Sequence, residues 1–247
     1  MKIFMKNKKS IYLIAFLMIG LLGQLEAQIM SGKITYERRT NLYKKFKWNA
    51  DVKDWLKEED KNKIDVFELT FNDTLSLFKP QESDLVEKMS WATTKNVVYQ
   101  NYNTKKRITE KKIWGELFVL DDTTRKFDWK ITDSKRSICG YICRKAIWVA
   151  NDSVRIYAWF CSEINSSVGP ESFIGLPGAI LGLATEDGGV IYFAKNVDVT
   201  KQDPLTLVPK KSKHKIMKAS ELKTQLEKDY GKEKWGKAMV YNNFAIW

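Results

Sequence analysis

The stretch YICRKAIWVANDSVRIYAWFC, residues 141–161, contains two runs of strand-forming residues separated by a short polar turn. The runs cover about residues 141–149 and 154–161, and both are rich in Val, Ile, Tyr and Trp, which favour β-structure. The Ala-Asn-Asp step between them favours a turn. The stretch therefore predicts an antiparallel hairpin, and it indicates a fold assembled from such hairpins.

Similar signals continue on both sides of this hairpin. Residues 64–80, IDVFELTFNDTLSLFKP, alternate around Asn-Asp and stop at Pro80, which predicts a second hairpin. Residues 179–197, AILGLATEDGGVIYFAKNV, predict another hairpin around Asp-Gly-Gly. Further turns are expected near residues 103–104 and 121–122. The chain thus reads as a β-meander over most of its length.

Helical patterns are few. Residues 49–60 suggest a short helix or an exposed excursion, and residues 220–235 suggest a surface helix that begins at Ser220. Nine tryptophans and an aromatic fraction of 13% suit a curved sheet with one apolar concave face. We therefore expect a mainly β fold, a curved antiparallel sheet or half-barrel of about ten strands with one or two peripheral helices, because so many strands curl to hide their edges.

Residues 1–27 have the pattern of a secretory signal peptide. A lysine-rich start, MKIFMKNKK, precedes the uncharged run IYLIAFLMIGLLG, and Ala27 closes the segment. The run is short for a membrane span, which needs ~20 apolar residues, so an uncleaved anchor is the less favoured alternative. We expect an exported protein of the periplasm or the outer-membrane surface, not an integral membrane protein, with residues 28–247 as its single domain.

The formal net charge is +12, so anionic partners are favoured. Anionic headgroups, lipopolysaccharide and acidic proteins are all candidates, whereas nucleic acid is not expected for an exported protein. The cationic residues are dispersed along the chain, which is typical of a solvated surface.

No catalytic residue is predicted. The only histidine, His214, has basic neighbours and no orienting carboxylate, and the chain has no Gly-x-Ser-x-Gly motif, so a histidine-based triad is disfavoured. Carboxylate pairs fall where turns are expected. His214 is therefore interpreted as an exposed loop residue.

Three cysteines, Cys139, Cys143 and Cys161, lie within one short region. With His214 they form a three-sulfur, one-nitrogen metal site on paper, but only one closely spaced pair exists, and zinc motifs normally have two. We predict a Cys143–Cys161 disulfide across the hairpin, with Cys139–Cys161 or free buried thiols as alternatives. No metal and no cofactor are expected.

An uncharged corner follows in GPESFIGLPGAILGL, residues 169–183. Proline followed by glycine predicts a type II turn, and no side chain in residues 175–181 can act as an acid, base or metal ligand. We interpret the corner as architecture beside a pocket, with three aromatic residues, Tyr157, Trp159 and Phe173, facing an apolar ligand. The predicted turn comprises Gly175, Leu176, Pro177, Gly178, Ala179 and Ile180.

This corner resembles the signature of the GLPGLI family, exported proteins of Gram-negative bacteria, with Ala179 where the family name has leucine. SGKITYERRTNL, FELTFNDTLSLFK, FDWKITDSKRSICGYICRKA and IYAWFCSEINSSVGP also resemble other blocks of that family, so the similarity extends over nearly all of residues 28–247. The resemblance implies an envelope role near outer-membrane transport receptors, and it implies no established reaction.

Three functions follow as hypotheses. The first is a non-enzymatic envelope binding protein whose apolar concave face takes a lipid, an apolar peptide or a segment of an outer-membrane partner. The second is a protein–protein accessory module of an outer-membrane transport or assembly system. The third is an enzyme that uses carboxylates or a metal.

Overall fold

The structure, a computed structural model, describes residues 29–47, 49–82, 87–151 and 154–244. The predicted signal peptide, residues 1–27, and the predicted turn residue Asp152 lie outside these ranges. Within them the expected mainly β architecture is confirmed, with twelve strands in one sheet. The strands are β1 (Gly32–Asn41), β2 (Asn62–Phe71), β3 (Leu75–Pro80), β4 (Val97–Asn101), β5 (Lys106–Ile113), β6 (Glu116–Thr123), β7 (Lys130–Ile138), β8 (Tyr141–Asn151), β9 (Val154–Cys161), β10 (Ala179–Thr185), β11 (Val190–Asp198) and β12 (Ile216–Met217).

The sheet is open and consists of two meanders that meet at β1. Its strand order is β12-β6-β5-β4-β3-β2-β1-β11-β10-β9-β8-β7. β1 pairs with β2 on one side and with β11 on the other, both antiparallel. The short β12 pairs in parallel with β6, whereas the other strand pairs of the described sheet are antiparallel. The first strand of the sequence therefore lies near the middle of the sheet.

The structure has four α-helices within the described residues, more than the one or two expected. Two short ones follow β1, and each begins at an asparagine that accepts a hydrogen bond from the helix backbone, Asn41 and Asn49. The helix predicted over residues 220–235 ends at Tyr230, and after a turn at residues 231–233 a further helix that was not predicted begins at Lys234. The helices are α1 (Leu42–Lys45), α2 (Ala50–Trp55), α3 (Ala219–Tyr230) and α4 (Lys234–Phe244).

The C-terminal helices cover one end of the sheet. Leu222 and Leu226 of α3 and Val240 of α4 form a buried cluster with Ile113 of β5 and Leu120 of β6. The apolar positions of α3 are four residues apart, so they fall on one face of the helix. This packing places α4 beside the sheet, where its other side chains reach the site described below.

Side chains on the concave face reach across the sheet. The hydroxyl of Tyr36 on β1 donates a 2.6 Å hydrogen bond to the carbonyl oxygen of Ile180 on β10. Because β11 lies between these two strands, the bond spans an intervening strand on the concave side. This contact ties the two meanders together.

The connection between β9 and β10 fills the apolar part of the concave face. Ile164, Val168 and Phe173 in this connection are fully buried in the main core. Its backbone is held by two hydrogen bonds, from the amide of Ile180 to the carbonyl of Val168 (2.8 Å) and from that of Ala179 to Ile164 (3.1 Å). The hollow expected there is therefore occupied by the chain itself.

The turn predicted at residues 121–122 does not form. Asp121 and Asp122 lie inside β6, where their carboxylates pair with Lys106 (3.1 Å) and Arg107 (3.4 Å) on β5. The turn that joins β5 and β6 is Trp114-Gly115, with φ values of 50° and 86°. Asn or Asp usually precedes glycine in such two-residue turns, so tryptophan concealed the signal.

Candidate functional site

The Pro-Gly corner is an architectural element, but it is not a type II turn. Gly178 has a positive φ of 140°, and its amide donates to the carbonyl of Leu176 (2.8 Å), which closes a three-residue turn centred on Pro177. The amide of Ala179, which a type II turn would use, bonds to Ile164 instead. A Cβ on Gly178 would lie 2.0 Å from the carbonyl oxygen of Cys161, so the backbone approach requires glycine.

The three residues predicted to face an apolar ligand do not share a surface, which corrects that interpretation. Phe173 is fully buried against Phe127, with their ring centres 4.9 Å apart. Tyr157 and Trp159 alternate with the core-facing residues of β9 and are half-buried on its opposite face. The structure thus places Phe173 in the core and the other two outside it.

The cysteines have the predicted register but are not bonded to each other. The β8–β9 pair Arg144↔Phe160 places Cys143 opposite Cys161 at the next position, and both side chains are fully buried. Burial, followed by the neighbouring Cys161, raises the pKa of Cys143 to about 12. All three cysteines are free thiols in this structure, and Cys139 is exposed in the β7–β8 turn.

His214 lies in a loop, and its side chain is exposed, as predicted. Within the described ranges, no group of three or more histidine, cysteine or carboxylate side chains is arranged to hold a metal ion.

The inner face of the central strands changes character partway along its length. On β1 the inward positions run Ile34, Tyr36, Arg38, Thr40, so the apolar half gives way to a charged half after Tyr36. The facing positions on β2 change in the same place, because Tyr36 pairs with Phe67 and Arg38 pairs with Asp65. The charged half forms the floor of a cavity.

This cavity has a volume of about 850 Å³, within the usual range for a small-molecule site. Its described lining contains eight cationic side chains and three carboxylates, which leaves a surplus of five positive charges. Residues of both α1 and α4 contribute to its lining. We call it the basic cavity; its charged residues are Arg38, Lys44, Lys45, Lys47, Lys111, Arg155, Lys234, Lys237, Glu171, Glu186 and Asp187.

Arg38 is the centre of a buried polar network on the cavity floor. It pairs with Asp65 at 2.7 Å, donates to the carbonyl of Thr94 at 2.8 Å, and lies 3.8 Å from Glu171. Although burial disfavours its charge, Tyr192, Asp65 and Glu171 raise the pKa of Arg38 above its usual value. The network therefore keeps Arg38 protonated, with its charge compensated by Asp65 and Glu171.

Glu171 comes from the segment before the Pro-Gly corner and is nearly inaccessible to solvent. It accepts hydrogen bonds from Tyr192 (2.7 Å) and from the side-chain amide of Asn96 (2.9 Å), in addition to the ion pair with Arg38. Its φ is 55°, an uncommon value for a residue other than glycine. A carboxylate with three such partners balances the buried arginine, so we interpret Glu171 as a counter-charge.

Two lysines of the cavity are held where a positive charge is costly. Burial, followed by the charge of Arg38, lowers the pKa of Lys45 to about 8. Burial also lowers the pKa of Lys111 to about 8, with contributions from Lys45, Arg107 and Arg38, although Glu171 opposes the change. An anion between these side chains would favour their protonated forms.

The cationic side chains of the cavity differ in whether they already have a partner within the protein. Lys111 donates a 2.8 Å hydrogen bond to the carbonyl oxygen of Asn243 on α4. Lys44 bonds to the backbone of Asp187, and Arg155 pairs with Glu186 at 3.0 Å. The side chain of Lys45 has no hydrogen-bond or ion-pair partner among the described residues, although the charge of Asp65 partly offsets that of Arg38 there. The ammonium group of Lys45 is therefore available to pair with a bound anion, and the hydrogen-bonded network around Arg38 holds the cavity floor in place.

The predicted site residues do not include this site, although the sequences of β1 and β2 contain a signal for it. Arg38 in KITYERRTN and Asp65 in NKIDVFELTF occupy the same alternating phase as the buried aromatic residues Tyr36 and Phe67. Charged residues in phase with a buried face indicate a paired, inward-facing site.

With this geometry established, the chain can be compared with known proteins. Residues 148–182 match a family model described as a protein of unknown function, Porph_ging. The match covers β9 and the connection that supplies Glu171 and the Pro-Gly corner. No curated protein matches the sequence.

Some solved structures resemble this chain at low sequence identity. PNGF-II in two crystal forms, C2 and P2₁, superimposes with a TM-score of 0.52 in each case, at 17% and 16% identity. The similarity covers 81% of this chain but only 33% and 34% of PNGF-II, so the chain spans about a third of that protein. An uncharacterized conserved protein from Thermus thermophilus gives a TM-score of 0.42 at 6% identity, covering 78% of this chain and 92% of the other. The likeness to PNGF-II shows a shared fold.

Across the described ranges, none of the helices has the length and hydropathy that a bilayer crossing requires.

Proposed function

We propose that this chain is a binding protein of the cell envelope and that the basic cavity binds a negatively charged ligand. The observation that carries the proposal is the surplus of five positive charges in a cavity of about 850 Å³ whose floor is a fixed hydrogen-bonded network. Clefts lined by one sign of charge concentrate ligands of the opposite sign. The ligand therefore differs in polarity from the apolar ligand that the sequence suggested.

An envelope location is part of the same proposal. It is supported by the signal-peptide pattern of residues 1–27 and by the resemblance to the GLPGLI signature. The Porph_ging match overlaps that signature in the sequence. The match is therefore compatible with the resemblance to the GLPGLI family. A disulfide between Cys143 and Cys161 would accord with export, because disulfides persist in oxidising compartments. The register of β8 and β9 brings the two residues opposite each other, as such a bridge requires.

The hydrogen bonds and ion pair of the Glu171 carboxylate favour a binding role for the cavity over a catalytic one. Its two oxygens are occupied by Tyr192, Asn96 and Arg38, so a proton transfer at this carboxylate would disrupt the network that holds Arg38. A preformed network of this kind lowers the ordering cost of binding.

The test is calorimetric titration of the purified protein with citrate and with pyrophosphate at about 20 and about 200 mM NaCl. We expect saturable binding that weakens at the higher salt concentration, because ions screen the cavity. Lys45→Met should weaken binding about tenfold, which is the loss of one ion pair in a partly buried site.

Lys33→Met is the matched control, because Lys33 on β1 pairs with Glu68 (3.1 Å) and does not line the cavity. Lack of binding at millimolar concentrations of both anions would contradict the proposal. Equal losses in the two lysine variants would show a general effect of net charge and would contradict it as well.

A second candidate is the protein–protein module, and it is favoured by the free edge of the sheet. β7 pairs only with β8 in the described sheet, and most of its residues are exposed. An exposed edge can accept a strand from a partner, such as an outer-membrane receptor. Pull-down from envelope extracts tests this candidate: a specific partner that is lost in Lys135→Glu/Arg136→Glu supports it, and recovery of the same proteins with both forms contradicts it.

A further inference from the structure

A second concave site adjoins the basic cavity. Its volume is about 700 Å³, and Lys45, Thr93 and Thr94 line both spaces. We call it the tryptophan groove, because three exposed tryptophans, Trp91, Trp114 and Trp235, form its walls. The other described residues of its lining are Lys45, Phe46, Ser90, Ala92, Thr93, Thr94, Lys95, Lys112, Ile113, Gly115, Met239 and Asn243.

Two aromatic clusters contribute to the lining of the groove. Trp91 packs against Phe46, with ring centres 5.6 Å apart. Trp114 packs against Trp235 at 5.9 Å and against Tyr230 at 4.8 Å. Trp91 and Trp114 are each 59% exposed. Contiguous exposed aromatic surface in a concavity marks a binding site more often than a structural accident.

Trp114, which lines the groove, has a strained backbone conformation. It is the first residue of the β5–β6 turn, with a φ of 50°, where a bulky side chain is an outlier. Asparagine at this position would give the favoured Asn-Gly turn. Local strain of this kind clusters at functional sites, because the surrounding fold maintains it.

The distribution of charge between the two spaces restricts the ligand. The basic cavity has eight cationic side chains in its described lining, whereas the tryptophan groove has three, Lys45, Lys95 and Lys112. Lys95 is already paired with Glu87. A matching ligand therefore carries its acidic groups at one end and rings with few charges at the other.

We propose that the ligand is an oligosaccharide with an acidic terminal unit, whose acidic group occupies the basic cavity and whose neutral sugar rings lie on the tryptophan groove. The inference rests on the proposed function. Sugar rings present apolar C–H faces to indole rings and hydroxyls to polar side chains, and the groove supplies both kinds of group, with the exposed Ser90 and Lys112 among the polar ones.

Other anionic ligands fit less well. An acyl chain needs an enclosed apolar cavity, but here the indoles are about half-exposed, and a chain lying on them would remain wet. A single-stranded nucleic acid carries a charge on every unit and stacks its bases beside a continuous basic track. In this molecule the charge and the aromatic surface lie in separate, adjoining spaces.

The test uses sialyllactose, which has one acidic sugar and two neutral ones, and compares it with free sialic acid, lactose and a six-residue oligothymidine. Binding is measured by calorimetry and tryptophan fluorescence. We expect sialyllactose to bind about tenfold more tightly than sialic acid, because the neutral rings add contacts with indole. We expect lactose alone to bind weakly.

Trp114→Asn is the decisive variant, because it removes the indole and supplies the favoured turn residue, so the fold is retained. It should reduce sialyllactose affinity to that of sialic acid and leave sialic acid affinity unchanged. Leu205→Ala is the control: Leu205 is also a large exposed apolar residue, and it lines neither the groove nor the basic cavity.

The outcomes separate this inference from the proposed function. Equal affinities for sialyllactose and sialic acid, with no effect of Trp114→Asn, would overturn the inference while leaving anion binding intact. Tighter, Trp114-dependent binding of oligothymidine would overturn it in favour of nucleic acid. Failure of sialic acid, citrate and pyrophosphate to bind would overturn the proposed function itself.

Discussion

Tyr192 on β11 donates a 2.7 Å hydrogen bond to Glu171, which belongs to the connection between β9 and β10. This bond links the segment that fills the apolar core to the floor of the basic cavity. Burial, followed by the charge of Glu171, raises the pKa of Tyr192 far above its usual value, so Tyr192 stays a hydrogen-bond donor. The β9–β10 connection, which also contains the Pro-Gly corner, therefore contributes to the floor of the basic cavity through Glu171.

Glu171→Gln should increase the affinity of the cavity for anions. The amide oxygen can still accept from Tyr192, but one of the three carboxylates of the cavity loses its charge. We expect roughly three- to tenfold tighter binding at low salt, as for one charge about 6 Å away in a partly hydrated site. Calorimetry with pyrophosphate measures the change.

Stability should fall in the same variant, because Arg38 loses part of its compensation; about 1–3 kcal/mol is expected. Glu68→Gln removes the same charge on the other side of β2, outside the cavity lining, and should leave affinity unchanged. Weaker anion binding by Glu171→Gln would contradict the counter-charge role.

Anion binding should be coupled to proton uptake near pH 8. The pKa of Lys45 is about 8 because of burial and the charge of Arg38, and a bound anion would raise it. Protons are therefore taken up on binding, and affinity should fall as pH rises from about 7 to about 9. Titrations in buffers of different ionisation enthalpy count the protons directly.

Lys45→Arg provides the control for this pH dependence, since arginine remains charged over the whole range. The part of the pH dependence that comes from Lys45 should disappear in this variant. Lys111, with a pKa also of about 8, should account for what remains. An unchanged profile would exclude Lys45 as a contributor.

Replacing Lys111 by methionine should stabilise the protein most at neutral pH. The pKa of Lys111 is lowered to about 8 in the folded state, so the folded state binds fewer protons than the unfolded chain above pH 8. The penalty for the charged lysine is thus complete below pH 8 and declines as pH rises toward the unfolded value. The advantage of methionine should shrink by roughly 2 kcal/mol between about pH 7 and about pH 9.5.

Urea unfolding of both proteins at the two pH values measures this difference. Part of the gain is offset at all pH values, because the carbonyl oxygen of Asn243 loses its donor. Lys112→Met, at the exposed neighbouring position on β5, should show no such pH-dependent difference. An advantage that grows with pH would contradict the burial of a charged Lys111.

Gly178→Ala should destabilise the fold by more than about 3 kcal/mol or prevent folding, because the added carbon meets backbone atoms of Cys161 at 2.0 and 2.6 Å. Gly188→Ala is the matched comparison: its φ is also positive, at 67°, but nothing lies within 4 Å of its added carbon. It should cost only about 1 kcal/mol. Similar melting temperatures for the two variants would contradict the described corner.

Thiol counting tests the proposed disulfide. In the native protein a water-soluble thiol reagent should modify Cys139, which is exposed, and not the buried Cys143 and Cys161. Unfolding an exported preparation without reductant should reveal no further thiol if Cys143 and Cys161 are bridged. A total of three thiols would contradict the bridge, and Cys139→Ser should remove the reactive one.

Strand assignments followed well from the sequence where residues alternated and a recognisable turn intervened. The hairpins at residues 64–80, 141–161 and 179–197 all have strands where they were predicted. The β5–β6 turn was missed because Trp114 occupies a position where Asn or Asp is usual, and local sequence preference was outweighed by the tertiary setting. Helix α4 was missed because its apolar residues pack in two directions, against α3 and into the tryptophan groove.

The basic cavity was harder to predict than the strands. Its lining comes from β1, α1, the connection before β10, β11 and α4, which are distant in sequence. Arg38 and Asp65 could have been recognised from their alternating phase alone. The contribution of Glu171 could not, because its orientation depends on a positive φ and on contacts with Asn96 and Tyr192.

The central place of β1 in the sheet has a consequence for biogenesis. Thr40 pairs with Val190 and Lys33 with Asp198, so one side of β1 stays unpaired until β11 has been synthesised. Until β11 arrives, the nascent amino-terminal meander exposes hydrogen-bonding groups that can recruit another chain. We therefore expect the docking of β11 on β1 to be a late and slow step of folding, because it joins segments that are far apart in the sequence.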